Sequence, residues 1–326
     1  MATFVRTQTI SHKVGERGEV TIKVTDADVR LQGVAGPEAS LRATFEIRAA
    51  TEEEADRIFN AIQLRVRVGS GTLSVEEVDG APSLGKVISR LFGGVGHADL
   101  SVEADLPLGA ELHLAGVSSD VEVNGMRGEQ RYATVSGDLR LRDLGGSIRL
   151  NAVSGDTSIR AAEPIAVTAD AVSGDLAITA PRLRSLRVSS VSGDVELEAE
   201  LVKSGEFRID TVSGDLAVGL VGPAVFEIRG LSTDVHSELD HRLEGRMDRR
   251  RLIIGQGGPT VVFSSMSGDV GVRAPRRREA RPAAAAAASA QGLEPEAQLE
   301  VLRALERGEI DVDEATRRLG GAPRDA

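Results

Sequence analysis

The chain has 326 residues, a formal net charge of -11, 2% aromatic residues, no Trp and no Cys. Without Cys there are neither disulfides nor thiolate metal sites, and the acidic balance argues against a general nucleic-acid binder, because neutralising phosphates needs a basic face, which only a local basic cluster would supply. No stretch reaches the ~20 apolar residues that span a bilayer, and the N-terminus lacks the apolar run of a signal peptide. The expectation is a cytoplasmic protein, including one held peripherally at the inner face of the membrane.

In chain order, "EVTIKVTDADVRLQGV" places Val20, Ile22, Val24, Val29 and Leu31 inward, and "SLRATFEIRA" places Leu41, Ala43, Phe45 and Ile47 inward, both with the period of two that marks strands. "TEEEADRIFNAI" breaks that period. Thr51 with Glu54 forms a capping box, and Ala55, Ile58, Phe59 and Ile62 recur at helical spacing, so a helix is predicted near 52–62. In "GAPSLGKVISRLFGGVGHA", Leu84, Val87, Ile88, Leu91 and Phe92 again have helical spacing. This segment reads either as a short helix covering a sheet edge or as a membrane-contacting stretch with Lys86 and Arg90 at the headgroups.

From residue 117 the chain repeats itself. "VSSD" at 117–120 is followed by "VSGD" at 135–138, 153–156, 172–175, 191–194 and 212–215, then "LSTD" at 231–234 and "MSGD" at 266–269. The aspartates step by 18, 18, 19, 19, 21, 19 and 35 residues, the last step reading as two coils with one corner degraded. Each unit carries two short strands. In "DLRLRDLGGSIRLNA", Leu139 and Leu141 alternate with Arg140 and Arg142, and Ile148 and Leu150 with Arg149 and Asn151. One such coil cannot bury its apolar face alone, but coils stacked at the ~4.8 Å strand spacing bury a continuous aliphatic column. The predicted fold is therefore all-β, a β-solenoid (β-helix-like) of 18–21-residue coils.

The repeated tetrapeptide reads as corner punctuation, with Val turned inward, Gly supplying φ > 0, and Ser and Asp bonding the turn's own amides. The expected corner residues are Gly137 and Asp138, Gly155 and Asp156, Gly174 and Asp175, Gly193 and Asp194, Gly214 and Asp215, and Gly268 and Asp269. Ser119 and Thr233 replace the glycine, so a different turn is expected there. Stacked corners make a ladder of carboxylates. Calcium-binding β-rolls also carry repeated Asp, but at half this period and with a double Gly, so local capping is the favoured reading. "HSELDH" at 236–241 has the composition of a metal cluster or of a solvated loop, the second being favoured.

"RAPRRREARPAAAAAASAQG" reads as an exposed linker and soluble tether, its Arg run (Arg273 to Arg281) alternatively a candidate for binding anionic lipid or nucleic acid. Beyond it, "LEPEAQLEVLRALERGEIDVDEATRRLGG" predicts a small C-terminal α-helical hairpin, with Pro295 at the first start, Gly308 as C-cap, and Asp311 with Glu314 opening the second helix. Leu299, Leu302, Leu305, Ile310, Val312 and Leu319 form an apolar stripe that two short helices cannot bury alone, which makes them the candidate surface for a protein partner or for self-association. The expected organisation is a β-solenoid over 1–274 (irregular over 1–116, regular over 117–272), a linker over 275–292 and a two-helix module over 293–321.

No phosphate-binding loop, nucleophile elbow or HExxH motif occurs. Neither an enzyme nor a cofactor is expected. The repeated "VSGDL", entered through "DLSVEADLPLGAELHLAGVSSDVEVNG", resembles the bacterial toastrack or adhesin-type β-repeat family, and "LEVLRALERGEIDVDEATRRL" resembles the short bihelical SHOCT-like module that accompanies it. The resemblance implies a non-enzymatic scaffold or protein-interaction module in cell-envelope or membrane-stress signalling, with no catalytic residue to carry over. Two alternatives stand beside it: a self-assembling filament protein of bactofilin type, and a surface adhesin or carbohydrate-binding protein.

Overall fold

The computed structural model describes residues 2–79, 98–246 and 249–276. Packing divides the chain into two units, Met1–Pro275 and Arg276–Ala326. The predicted segment at 84–92, the Arg run beyond Arg276, the helical hairpin and its stripe from Leu299 to Leu319 lie outside the described residues.

The first unit opens with strands β1 (Ala2–Lys13), β2 (Glu19–Val34) and β3 (Glu38–Ala49), helix α1 (Glu52–Ala61), and strands β4 (Ile62–Gly69), β5 (Thr72–Asp79), β6 (Ala98–Pro107), β7 (Glu111–Ser118), β8 (Val121–Asn124) and β9 (Glu129–Ser136). Long strands β10 (Leu139–Ala152), β11 (Thr157–Ala171) and β12 (Leu176–Ser192) each run through a bend. The remainder is β13 (Val195–Leu201), β14 (Phe207–Ser213), β15 (Leu216–Val221), β16 (Ala224–Ser232), β17 (Val235–Ser237), β18 (His241–Arg246), β19 (Arg249–Ile254), β20 (Thr260–Ser267) and β21 (Val270–Arg273). The fold is β throughout, with one helix among the described residues.

The pairings resolve into two faces. The first sheet runs β4, β5, the start of β2, β7, β9, the second halves of β10, β11 and β12, then β14, β20, β16, β19 and β18. The second runs β1, β3, β6, the end of β2, β8, the first halves of β10, β11 and β12, then β13, β15, β21 and β17. In the regular middle all pairs are parallel, with Leu139 opposite Thr157, Thr157 opposite Leu176, and Leu176 opposite Val195, so each coil lies on the last one in register. The enclosed column is aliphatic: Leu139, Leu141, Ile148, Leu150, Ile159, Val167, Ile178, Leu186 and Leu197 are all buried.

Both ends depart from this pattern. At the N-terminal end, β1, β3 and β6 pair antiparallel, as do β4 and β5. Helix α1 packs there with Ala55 buried and Phe59 edge-on to Phe45, ring centroids 5.2 Å apart. Thr51 accepts from the Glu54 N–H at 3.2 Å, while the Glu54 carboxylate reaches one residue further back than a capping box, to the Ala50 N–H at 2.9 Å.

The C-terminal end corrects the expectation of a degraded coil between Asp234 and Met266. After β15 the chain overshoots by one level to form β16 and β17, turns back through the antiparallel pair β18 and β19, and then fills the skipped level with β20 and β21. Met266 and Asp269 therefore sit between the corners at 212–215 and 231–234 in space, although they follow both in sequence.

Candidate functional site: the repeated corner

Where the first sheet hands over to the second, the tetrapeptides stack one above another. Gly137, Gly155, Gly174, Gly193, Gly214 and Gly268 have φ between +108° and +159°. The requirement is also one of space, because a Cβ on Gly155 would collide with the Gly137 carbonyl of the coil below. Gly is missing only at Ser119 and Thr233, the first and last corners of the ladder, and neither residue adopts positive φ. A different turn forms at both. Ser119 is buried and accepts from the Ala27 N–H at 3.3 Å, while the buried Thr233 hydroxyl has no partner.

The polar side chains bond between coils rather than within their own turn. The N–H of Asp138 donates to the Asp120 carboxylate, Asp156 to Asp138, Asp175 to Asp156, Asp194 to Asp175, Asp215 to Asp194, Asp269 to Asp215 and Asp234 to Asp269, at 2.7–3.1 Å. Beside this ladder the hydroxyls of Ser136, Ser154 and Ser173 donate to the carbonyls of Val117, Val135 and Val153, at 3.1–3.3 Å. Each carboxylate of the ladder except that of Asp234, at its end, thus has one oxygen committed to an amide. Among the described residues no group of three or more His, Cys, Asp or Glu is placed to hold a metal ion, and the His241 Nδ1 lies 2.8 Å from the Leu239 carbonyl.

The aliphatic residue of each corner does not turn inward as expected. Val117, Val135, Val153, Val172, Val191 and Val212 are 44–50% exposed, Met266 57% and Leu231 80%. With Ile148, Leu150 and Ala152 buried, Val153 falls on the outward parity of its strand. The result is a continuous aliphatic ridge, one side chain per coil. Ala115, Ala133, Ala152, Ala171 and Ser190 line a shallow groove of about 580 Å³ beside it. That ridge is the surface feature that sequence reasoning missed, although the period-two count through Ala152 carried the signal.

Beneath this surface lies a buried polar pair. The Tyr132 hydroxyl donates to the Gln130 side-chain oxygen at 3.0 Å, and the Gln130 amide donates to the Gly145 carbonyl at 2.9 Å. Burial pushes the Tyr132 phenol well above its ordinary value.

A family model, Toastrack DUF4097, matches residues 10–206, which is more than half of the chain. This chain belongs to the toastrack family. The matched span covers the antiparallel N-terminal end and most of the parallel coils of the toastrack, and stops before β14 and the returning strands. Solved structures similar to it include a putative adhesin from Bacteroides fragilis (15% identical, TM-score 0.45, covering 82% of this chain and 97% of that one) and a putative lipid binding protein from Parabacteroides distasonis (15%, TM-score 0.44, 82% and 96%). A putative cell adhesion protein from Clostridium sporogenes is 10% identical, with a TM-score of 0.26, covering 83% of this chain and all of that one. No curated protein matches significantly.

Proposed function

We propose that this toastrack protein is a non-enzymatic interaction scaffold, a rigid ladder whose aliphatic ridge receives a partner protein. One observation carries the reading: five consecutive corner valines, Val117, Val135, Val153, Val172 and Val191, stand 44–50% exposed in one line. Scattered exposed valines need no explanation, but a contiguous line of them marks an interaction surface. The committed aspartate oxygens speak for a structural rather than an acid–base role of the neighbouring carboxylates. Work at the cell envelope, peripheral placement at the inner face of the membrane, and self-association through residues 293–321 belong to the same reading.

A filament built from open coil ends is the weaker alternative, because α1 with the antiparallel strands covers one end and β18 with β19 covers the other. A photo-crosslinking residue at Val153, with one at Arg160 on the second sheet as control, tests the scaffold in cells. A discrete adduct is expected from position 153 alone, abolished by Val135→Asp with Val172→Asp. Adducts of equal yield from both positions would sink the reading.

A further inference from the structure

The outward face of the terminal strands carries three arginines in one cross-strand row. Arg229 of β16 lies opposite Arg249 of β19, which lies opposite Arg246 of β18. Like charges directly opposite each other destabilise a sheet. The neighbouring row obeys the usual compensation, with Arg251 between Glu227 and Glu244. The arginine row does not: among the described residues Arg246 and Arg249 are exposed with no carboxylate partner, and Arg229 has only Glu227 at 3.8 Å along its own strand. The acid that continues this row, Asp210, is already engaged by Arg208 at 2.6 Å. In a chain of net charge -11, this is the exceptional surface.

Two residues further along the same face of β16 stands Leu231. The register that sets Gly230 opposite Ser265 and Ser232 opposite Ser267 places Leu231 beside Met266, and the pairing of Ser213 with Ser267 places Val212 next in that row. Leu231 is the most exposed large aliphatic residue of the described chain, at 80%. At ~3.3 Å per residue, the apolar row lies ~7 Å from the arginine row. Between them is a shallow depression of about 310 Å³, lined by Arg229, Leu231, Ser264 and Met266.

We infer that this end of the toastrack is a docking surface for an anionic phospholipid bilayer, with Arg229, Arg246 and Arg249 at the headgroup phosphates and Leu231, Met266 and Val212 entering the acyl boundary. A bilayer interface offers phosphate and then hydrocarbon over ~5–10 Å of depth, which matches the two rows. A nucleic acid would satisfy the arginines and leave Leu231 in water. Asp234 and Asp269 stand beyond the turn, at the start of second-sheet strands β17 and β21, so the contact uses the first-sheet side of the corner. The surface lies outside the span matched by the family model and does not depend on a protein partner at the middle of the ridge.

The test uses the full chain and two vesicle types, phosphatidylcholine alone and an equimolar mixture with phosphatidylglycerol. The wild type is expected to co-sediment with the mixed vesicles only, and less so as salt rises. R246Q with R249Q should weaken this about 30-fold, and R246K with R249K should restore it. Because the chain has no Trp, Leu231→Trp supplies a single reporter whose emission should shift to the blue on mixed vesicles and stay unshifted with duplex DNA. Three results would overturn the inference: no sedimentation, sedimentation unchanged in R246Q with R249Q (which transfers the binding to the Arg276–Arg281 run), or sedimentation without an emission shift. The crosslink at Val153 is read separately, so either proposal can fail alone.

Discussion

At the scale of single residues, the corner glycines and the buried tyrosine bear the sharpest constraints. Gly155→Ala combines a left-handed backbone with a collision against the coil below, and is expected to cost about 2–4 kcal/mol, read as a shift in denaturant midpoint. Thr233→Val should instead gain about 1 kcal/mol, because it removes a buried hydroxyl that has no partner; a loss of stability would refute the orphaned-hydroxyl account. Tyr132 is the only tyrosine in the chain. Its phenol ionises near pH 10 when unfolded and at a higher pH when native, so the folded state holds its proton more tightly. Stability from this group is therefore complete below about pH 10 and falls as pH rises beyond it. Phenolate absorbance should appear only together with loss of the far-ultraviolet dichroism of the sheets, and a phenolate signal from folded protein would contradict the buried Tyr132–Gln130 pair.

At the scale of the coil, each unit contacts only its neighbours, so whole coils are exchangeable parts. Removing residues 157–175 joins Asp156 to Leu176, and Leu176 already shares a rung with Leu139 through Thr157. That deletion should fold with a modestly lower melting temperature, whereas removing 157–165 breaks the phase of the two faces and should not fold. The spacing of the aspartates made this periodicity legible, and the alternation of Leu139, Leu141, Ile148 and Leu150 made the inward face legible. The corner valines were not, because aliphatic character and strand parity point in opposite directions there, and parity wins once Ala152 has taken the inward place. The inter-coil bonds of Ser and Asp were also illegible, since a residue's own turn and the turn 18 or 19 residues away offer the same carbonyl acceptors and amide donors.

At the scale of the whole molecule, the ends follow different rules from the middle. The helix over the N-terminal end was readable from its capping residues and its apolar spacing. The excursion between residues 224 and 273 was not, because nothing within strands β16 to β19 marks the level each occupies, and only pairing shows that the chain goes out, comes back and inserts. This path has a consequence for the order of events during synthesis. A ribosome delivers β16 and β17 before the level beneath them exists, so those strands must wait unseated until residues 260–273 emerge and slide between them and β14 and β15. The rungs up to β15 can seat one by one as they leave the tunnel, while the cap closes in a single late step. A chain released after Ile254 should accordingly show amide protection through β15 and none in β16 to β19, which makes the last fourteen residues of the β unit the latch of the whole stack.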